Sequence, residues 1–404
     1  MTILSLTKHK RLGHYRAGSK IFFNKIDAVY YATEQLKEGN DHSVYWEFNK
    51  DIFSKFDWKD PIKQSLSELY YCRAKQLRDK YDYLSLFYSG GVDSTNILRA
   101  FVDNGIFLDE IVMYRPVVLE PSFNKESTKT DNVYSEIKFA AIPYAEKYAD
   151  KRTSIRVLDM CDPVEKFLTN EELIKQYWGI NKWFSPNSIA KTAIGIFDPH
   201  WYSLYESGKT VGHIHGAEKP NMEITDNDEY YFHFYDWLSH VVSPSFDTDR
   251  SLIIENHQFI EPFYWTPDVP ELVIKQCQTI KESCRDPAVK QVFKTHQKFD
   301  AGANRRKFTN SALYSPDILA VREMFNAEKH GLGLHAPQMD WFYKYMSKPV
   351  LDRFWCIVTD IRREVDGRFF MTTLPSGPIL VMNTGDAPTK KWMFRHATSD
   401  PYFL

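Results

Sequence analysis

The sequence predicts an α/β protein built on a parallel sheet that is covered by helices on both faces. Short apolar strands alternate with helical stretches beyond about residue 80, and strands separated by helices pair in parallel. One strand-to-helix junction carries two adjacent glycines between hydroxyl side chains. The chain has 404 residues, of which 43% are hydrophobic and 26% charged, values ordinary for a globular chain with a core large enough for an enzyme.

Charge and cysteine usage argue against several functional classes. The formal net charge is −2, so the chain lacks the overall basic excess of nucleic-acid and membrane binders, although Lys298, Arg305, Arg306 and Lys307 lie close in sequence. The 5 cysteines are widely spaced and include no Cys-x-x-Cys pair, which disfavours a disulfide framework and the usual zinc site. With no recognisable secretory signal or membrane span, we expect a cytoplasmic protein.

The first 78 residues are expected to form a lead-in region that contains both helix and strand. Residues 28–36 have helical character, and residues 65–80 form an amphipathic helix. Four apolar residues fall near one face of this second helix: Leu66, Leu69, Ala74 and Leu77.

The alternation of strands and helices then defines a main domain, which we place at residues 79–310. Residues 311–404 are assigned to a helical extension and a tail that we expect to be irregular. The predicted strands are 83–88, 109–114, 154–158 and 210–215, and the predicted helical segments are 94–104, 131–148, 163–205, 270–281, 316–328 and 340–346.

The junction between the first strand and the first helix is the strongest candidate for chemistry. It reads Ser89-Gly90-Gly91-Val92-Asp93-Ser94-Thr95. Two glycines let the backbone approach an anion, and the free amides and dipole of the helix start favour negative charge there. A carboxylate beside phosphates is repelled, so Asp93 implies a Mg²⁺ that bridges it to phosphate oxygens. The alternative is an ordinary capped turn, and the full pattern favours phosphate binding over it.

The stretch LSLFYSGGVDST resembles the PP-loop of the N-type ATP pyrophosphatases, a superfamily that includes asparagine, GMP and NAD synthetases and enzymes that modify nucleobases. The resemblance implies a doubly wound, five-stranded parallel sheet of the adenine nucleotide alpha hydrolase-like class, with ATP across the carboxyl ends of its strands. It also implies cleavage of ATP to AMP and pyrophosphate, with ATP and Mg²⁺ as cofactors. The residues it places around the nucleotide are Tyr88, Ser89, Gly90, Gly91, Asp93, Ser94, Thr95 and Gly216.

A second motif resembles the synthetase domain of asparagine synthetase. That family carries Gly-x-Asp-Glu after its fourth strand, and Gly216-Ala217-Glu218-Lys219 stands in that place here. The resemblance makes Glu218 the second Mg²⁺ ligand beside Asp93, and we expect the two carboxylates to lie within about 8 Å of each other. Lys219 replaces the family's glutamate, and it either contacts phosphate or is a surface residue.

Two later segments are also similar to that family. Residues 261–265 (EPFYW) are similar to its R-x-P-F-L-D segment, and residues 297–302 (QKFDAG) to its Q-K-x-x-F-x-D-G stretch. In the family, a lysine of this second stretch neutralises charge in the adenylation transition state. Lys298 is therefore the first candidate for that catalytic role and Lys307 the second, and the alternative for each is a solvated surface lysine.

Two further patterns favour packing over chemistry. His213 and His215 alternate on the fourth strand, where one core histidine and one site-lining histidine are favoured over a metal pair. The aromatic residues at 229–237 are expected to pack in the core, and a base-stacking surface is the alternative.

These features predict an ATP-dependent adenylating synthetase that amidates a small carboxylate. The segment before Ser89 is too short for the family's glutaminase domain, and Thr2 rather than cysteine follows Met1. We therefore expect free ammonia, or an amine on another molecule, as the nitrogen donor. The arrangement is similar to stand-alone asparagine-synthetase-like proteins of large bacteriophages, which would act in the host cytoplasm. The alternatives are an enzyme acting on a nucleobase in tRNA, DNA or a free purine, and a non-catalytic ATP-binding protein.

Overall fold

The structure is a computed structural model, and it describes most of the chain between residues 12 and 404. The described residues are 12–23, 25–115, 137, 141–171, 186–216, 219–220, 222–234, 236, 256–294, 301–320, 342–343, 346–356, 370–373, 379–382 and 399–404.

Helices and strands alternate through the middle of the chain, and strands occur at both of its ends. The strands are β1 (His14–Ala17), β2 (Lys20–Phe22), β3 (Ser43–Glu47), β4 (Tyr83–Phe87), β5 (Glu110–Arg115), β6 (Ser154–Asp159), β7 (Val211–His215), β8 (Glu223–Ile224), β9 (Tyr230–Phe232), β10 (Gln258–Pro262), β11 (Phe370–Thr373), β12 (Ile379–Met382) and β13 (Tyr402–Phe403). The α-helices are α1 (Lys25–Lys37), α2 (Lys50–Phe53), α3 (Leu66–Lys80), α4 (Val92–Val102), α5 (Ile142–Tyr148), α6 (Cys161–Leu168), α7 (Pro186–Phe197), α8 (Pro199–Glu206), α9 (Pro270–Ser283), α10 (Pro287–Lys294) and α11 (Ala301–Leu313).

The central sheet confirms the predicted α/β class and its five parallel strands. Their order is β10-β7-β4-β5-β6, and every neighbouring pair is parallel. The four strands predicted from sequence match β4, β5, β6 and β7 to within one residue at each end. β10 had no strand prediction of its own, because the polar residues Gln258 and Glu261 interrupt its apolar pattern, and both are buried.

Helices flank this sheet through aromatic and aliphatic contacts. α3 begins at a capping box, in which the Glu68 amide donates to the Ser65 hydroxyl and the Ser65 amide donates to the Glu68 carboxylate. It packs against α4, the helix that follows the glycine turn. α8 places the buried Trp201 ring 4.4 Å from the His213 ring of β7, measured between centroids. The strand ends that carry the candidate loops are therefore held on a packed core.

The tail, expected to be irregular, supplies strands to a second sheet. This sheet has the order β11-β12-β3-β1-β2, with its pairs antiparallel, and Ile379 of β12 faces Val44 of β3. A third sheet, β13-β9-β8, joins the last residues of the chain to the aromatic stretch at 230–232. Local patterns missed these tail strands because their partners lie far away in sequence.

The structure also bears on the expectations for the aromatic stretch and for membrane spans. Phe232 and Phe234 are fully buried, which agrees with packing as the role of that aromatic stretch. Among the described residues, no helix is both long and apolar enough to cross a membrane.

Candidate functional site

The glycine turn between β4 and α4 leaves a helix N-terminus without a side-chain cap. Gly90 has φ +75°, a left-handed conformation that glycine adopts without strain. Gly91 is the N-cap residue of α4, so the N-cap position offers no side chain to the first-turn amides. The positive end of the helix dipole therefore faces the loop with amide donors available, an arrangement that suits an anion.

Hydroxyl groups fix the shape of this loop. The Ser94 Oγ accepts the Ser89 amide at 3.3 Å and donates to the Gly91 carbonyl at 3.1 Å. The Tyr88 and Thr95 hydroxyls lie 3.2 Å apart, and both residues are buried. Ser89 is exposed at the turn. Its Oγ nevertheless bonds within the loop, since it lies 3.2 Å from Ser94 Oγ and accepts the Gly91 amide at 3.3 Å. The hydroxyls of all four residues therefore brace the loop.

The loop after β7 lies directly beside the glycine turn. β4 and β7 are neighbours in the sheet, and Phe87 faces His215 at their carboxyl ends. Gly216 follows immediately, and a Cβ atom added to it would lie 3.3 Å from the Ser94 amide nitrogen and 3.2 Å from Ile97 Cδ1. Only a residue without a side chain fits at this distance without displacing its neighbours. The two predicted pyrophosphate motifs therefore converge on one edge of the sheet, as their topology predicts.

Lys219 reaches across from the second loop to Asp93. Its Nζ lies 2.6 Å from Asp93 Oδ1 and also hydrogen-bonds Asn310 Oδ1 on α11. The Lys219 side chain is only 12% exposed, against 35% for Asp93. Of the two roles considered for Lys219, the solvated surface residue is therefore wrong, and the amino group lies within the candidate site.

Two buried tyrosines complete the surroundings of Asp93. The Tyr314 hydroxyl donates to Asp93 Oδ1 at 2.5 Å, and the Tyr264 hydroxyl donates to the Asp93 carbonyl at 2.8 Å. Burial, with the nearby negative Asp93 as a smaller cause, holds the pKa of both tyrosines well above the ordinary value, so both stay protonated donors. Both donors bind Oδ1, and Asp93 Oδ2 accepts no hydrogen bond from the described residues, so this oxygen keeps its capacity to bind a ligand.

The predicted lysines and the second carboxylate have different outcomes. Glu218 and Lys298 lie outside the described residues, so their roles and the Asp93–Glu218 distance stay predictions. Lys307 is exposed on α11, three residues before Asn310. Sequence analysis missed Asn310 and Tyr314 altogether.

The two histidines of β7 have separate surroundings. His213 is buried, and its Nε2 lies 2.9 Å from the Tyr205 hydroxyl. His215, at the strand end, stacks on Phe87 with centroids 4.3 Å apart. Burial, reinforced by the positive charge of Lys191 and by His213, holds the pKa of His215 well below 6.5, so the ring is neutral. One core histidine and one histidine at the site edge match the expectation.

The residues present would fit an anion and a divalent cation. The helix start without an N-cap side chain, the left-handed Gly90 and the close approach at Gly216 suit an anion, and Asp93 Oδ2 is an oxygen ligand of the type Mg²⁺ prefers. Among the described residues, no cluster of three or more His, Cys, Asp or Glu side chains offers a metal site by itself. Comparison with protein-family models and with curated proteins found no match.

Proposed function

We propose that this protein is an ATP-dependent adenylating synthetase that binds ATP and Mg²⁺ at the carboxyl edge of its parallel sheet. The acceptor is a small carboxylate, and the nitrogen donor is ammonia or an amine. The proposal includes the finer fold assignment, a doubly wound sheet of the adenine nucleotide alpha hydrolase-like class, and a cytoplasmic location, where ATP and Mg²⁺ are plentiful.

One observation carries the proposal: two loops from neighbouring strands meet at an uncapped helix N-terminus, with a carboxylate and an ammonium side by side. Gly216 packs against the Ser94 amide, and Lys219 pairs with Asp93. A lone glycine turn would serve any anion. Lys219 and Tyr314 both bind Asp93 through Oδ1, so Oδ2 keeps its ligand capacity among the described residues, and this carboxylate oxygen favours a nucleotide–metal complex over a simple anion.

The chemistry follows from charge placement. A carboxylate oxygen of the acceptor attacks the α-phosphorus of ATP, and the bond to the β-phosphate oxygen breaks, which releases pyrophosphate and leaves an acyl adenylate. The α4 amides and Lys219 would hold the departing negative charge, and Lys298 or Lys307 would face the α-phosphate. Ammonia then attacks the acyl carbon, AMP leaves, and one proton is released. Mg²⁺ held by Asp93 and Glu218 would supply further neutralising charge.

Product analysis tests this assignment. The full-length protein, incubated with ATP, Mg²⁺, ammonia and a panel of carboxylates, should release AMP and pyrophosphate in equal amounts when the right acceptor is present. ADP and phosphate as the only products would contradict it. AMP release that requires a nucleobase or tRNA would instead favour the base-modifying alternative. ATP binding without turnover on any acceptor would favour a non-catalytic binding protein.

A further inference from the structure

The Lys219 amino group is enclosed by partners from three different parts of the chain. Its Nζ lies 2.6 Å from Asp93 Oδ1 on α4 and donates a hydrogen bond to Asn310 Oδ1 on α11. The centre of the Tyr314 ring lies 5.2 Å from the same nitrogen. Asn310 is 2% exposed and Tyr314 is 5% exposed. A lysine held this way has given up its side-chain freedom, unlike the surface lysines that form weak pairs.

The Lys219 ammonium lies beside the start of α4, where the N-cap residue offers no side chain to the backbone amides. The N-terminus of a helix carries positive partial charge, and Asp93, whose carboxylate pairs with Lys219, belongs to the first turn of that helix. The amides and the ammonium are therefore hydrogen-bond donors close to each other at the glycine turn, an arrangement that suits the several oxygens of a polyanion.

We propose that Lys219 is a resident cation of the phosphate site, held in place by Asn310 and Tyr314 as positioning residues, and that it binds the pyrophosphate portion of the nucleotide. This inference rests on the proposed function and extends it to residues of α11 and its C-terminal end. It follows that pyrophosphate binding does not depend on Mg²⁺ alone, because part of the neutralising charge is built into the chain.

Binding of inorganic pyrophosphate and of ATP to the full-length protein, measured by calorimetry in EDTA and again in Mg²⁺, tests the inference. The wild type should bind pyrophosphate in EDTA. Lys219→Met should weaken that binding by about tenfold or more, the usual effect of losing a charge-assisted contact, and should weaken binding in Mg²⁺ less. Lys219→Arg should retain part of the affinity. Asn310→Ala and Tyr314→Phe should each weaken binding in EDTA by a smaller factor.

Lys209→Met is the matched control. Lys209 is exposed and precedes β7 at its amino end, whereas Lys219 follows the carboxyl end of the same strand. Its loss should leave both affinities unchanged. A purely structural role of Asn310 or Tyr314 would lower thermal stability and leave the ratio of EDTA to Mg²⁺ affinities as in the wild type.

Two outcomes separate this inference from the proposed function. If ATP binds in Mg²⁺ but Lys219→Met and Asn310→Ala bind pyrophosphate in EDTA as tightly as the wild type, the resident-cation inference is overturned and the ATP site stands. If the wild type binds neither ATP nor pyrophosphate in either buffer, the proposed function fails and this inference fails with it.

Discussion

Two charged clusters lie at opposite ends of the central sheet, and they differ in how fully their hydrogen-bonding capacity is used. Near the amino ends of β5 and β6, Arg156 bridges Glu110 and Asp198, and Trp201 donates its indole N–H to Glu110 at 2.7 Å and its amide to Asp198 at 3.0 Å. All four carboxylate oxygens therefore have a donor, and Glu110 is 0% exposed.

The cluster at the carboxyl edge also combines a cation, a carboxylate and an aromatic hydrogen-bond donor, but it leaves a carboxylate oxygen without a donor among the described residues. Asp93 is 35% exposed, two donors share its Oδ1, and Oδ2 has none among the residues that the structure describes. The comparison teaches that burial of charge by itself does not mark a binding site. A candidate binding site is better indicated by a carboxylate oxygen without a donor beside free backbone amides. A cluster in which every carboxylate oxygen has a donor holds elements of the fold together.

The largest expected effect belongs to the closed cluster. Arg156→Met removes the cation that faces two enclosed carboxylates, and an uncompensated buried charge costs about 3–5 kcal/mol of unfolding free energy. Urea unfolding would measure it. Arg152→Met, which breaks an exposed pair with Asp150, should cost no more than about 1 kcal/mol. Equal costs for the two variants would contradict the distinction between closed and exposed clusters.

Asp93→Asn should have its clearest effect on binding and a smaller effect on stability than Arg156→Met. Loss of the charge should weaken ATP binding in Mg²⁺ buffer by at least about tenfold, because a neutral amide is a poor metal ligand. The unfolding free energy should fall because the enclosed Lys219 ammonium loses its ion-pair partner, but by less than in Arg156→Met, since Asp93 is 35% exposed and Asn310 still accepts from Lys219. Calorimetry and urea unfolding on the same preparation measure both. Unchanged ATP affinity would remove Asp93 from the site.

The smallest effect concerns His215, which lies at the open edge yet is desolvated. Its folded pKa lies well below 6.5, so below that pH the unfolded chain binds a proton that the folded chain does not. Stability should therefore fall as the pH is lowered from 7.5 to 5.5, by at most about 1.4 kcal/mol per pH unit from this residue. His215→Gln should show a shallower fall over the same range. Parallel curves for the two proteins would mean that His215 contributes nothing.

The part of the site that sequence could predict is the part encoded locally. An apolar strand, a glycine turn and a helix follow one another within 83–102, and their pattern alone places β4, the loop and α4. The second loop could be predicted because parallel topology brings β7 beside β4. Gly216 lies at that loop, where its closeness to α4 favours a glycine.

What sequence could not predict depends on distant partners. Tyr314 meets Asp93 across 221 residues, and no local pattern distinguishes it from the other tyrosines. β10 was missed because its Glu261 is polar, and only the fold brings Arg73 within 2.7 Å to compensate it. Had β10 been recognised, Tyr264 just beyond its end would have been expected at the same edge as the glycine turn.

A structure of the protein with Mg²⁺ and α,β-methylene-ATP, which resists cleavage at the α-phosphate, tests the central claim most directly. We predict phosphate oxygens within hydrogen-bonding distance of the α4 first-turn amides and of Lys219 Nζ, and a metal ion within about 2.1 Å of Asp93 Oδ2. A nucleotide bound elsewhere, with the Asp93–Lys219 pair and its open oxygen unchanged, would contradict the account.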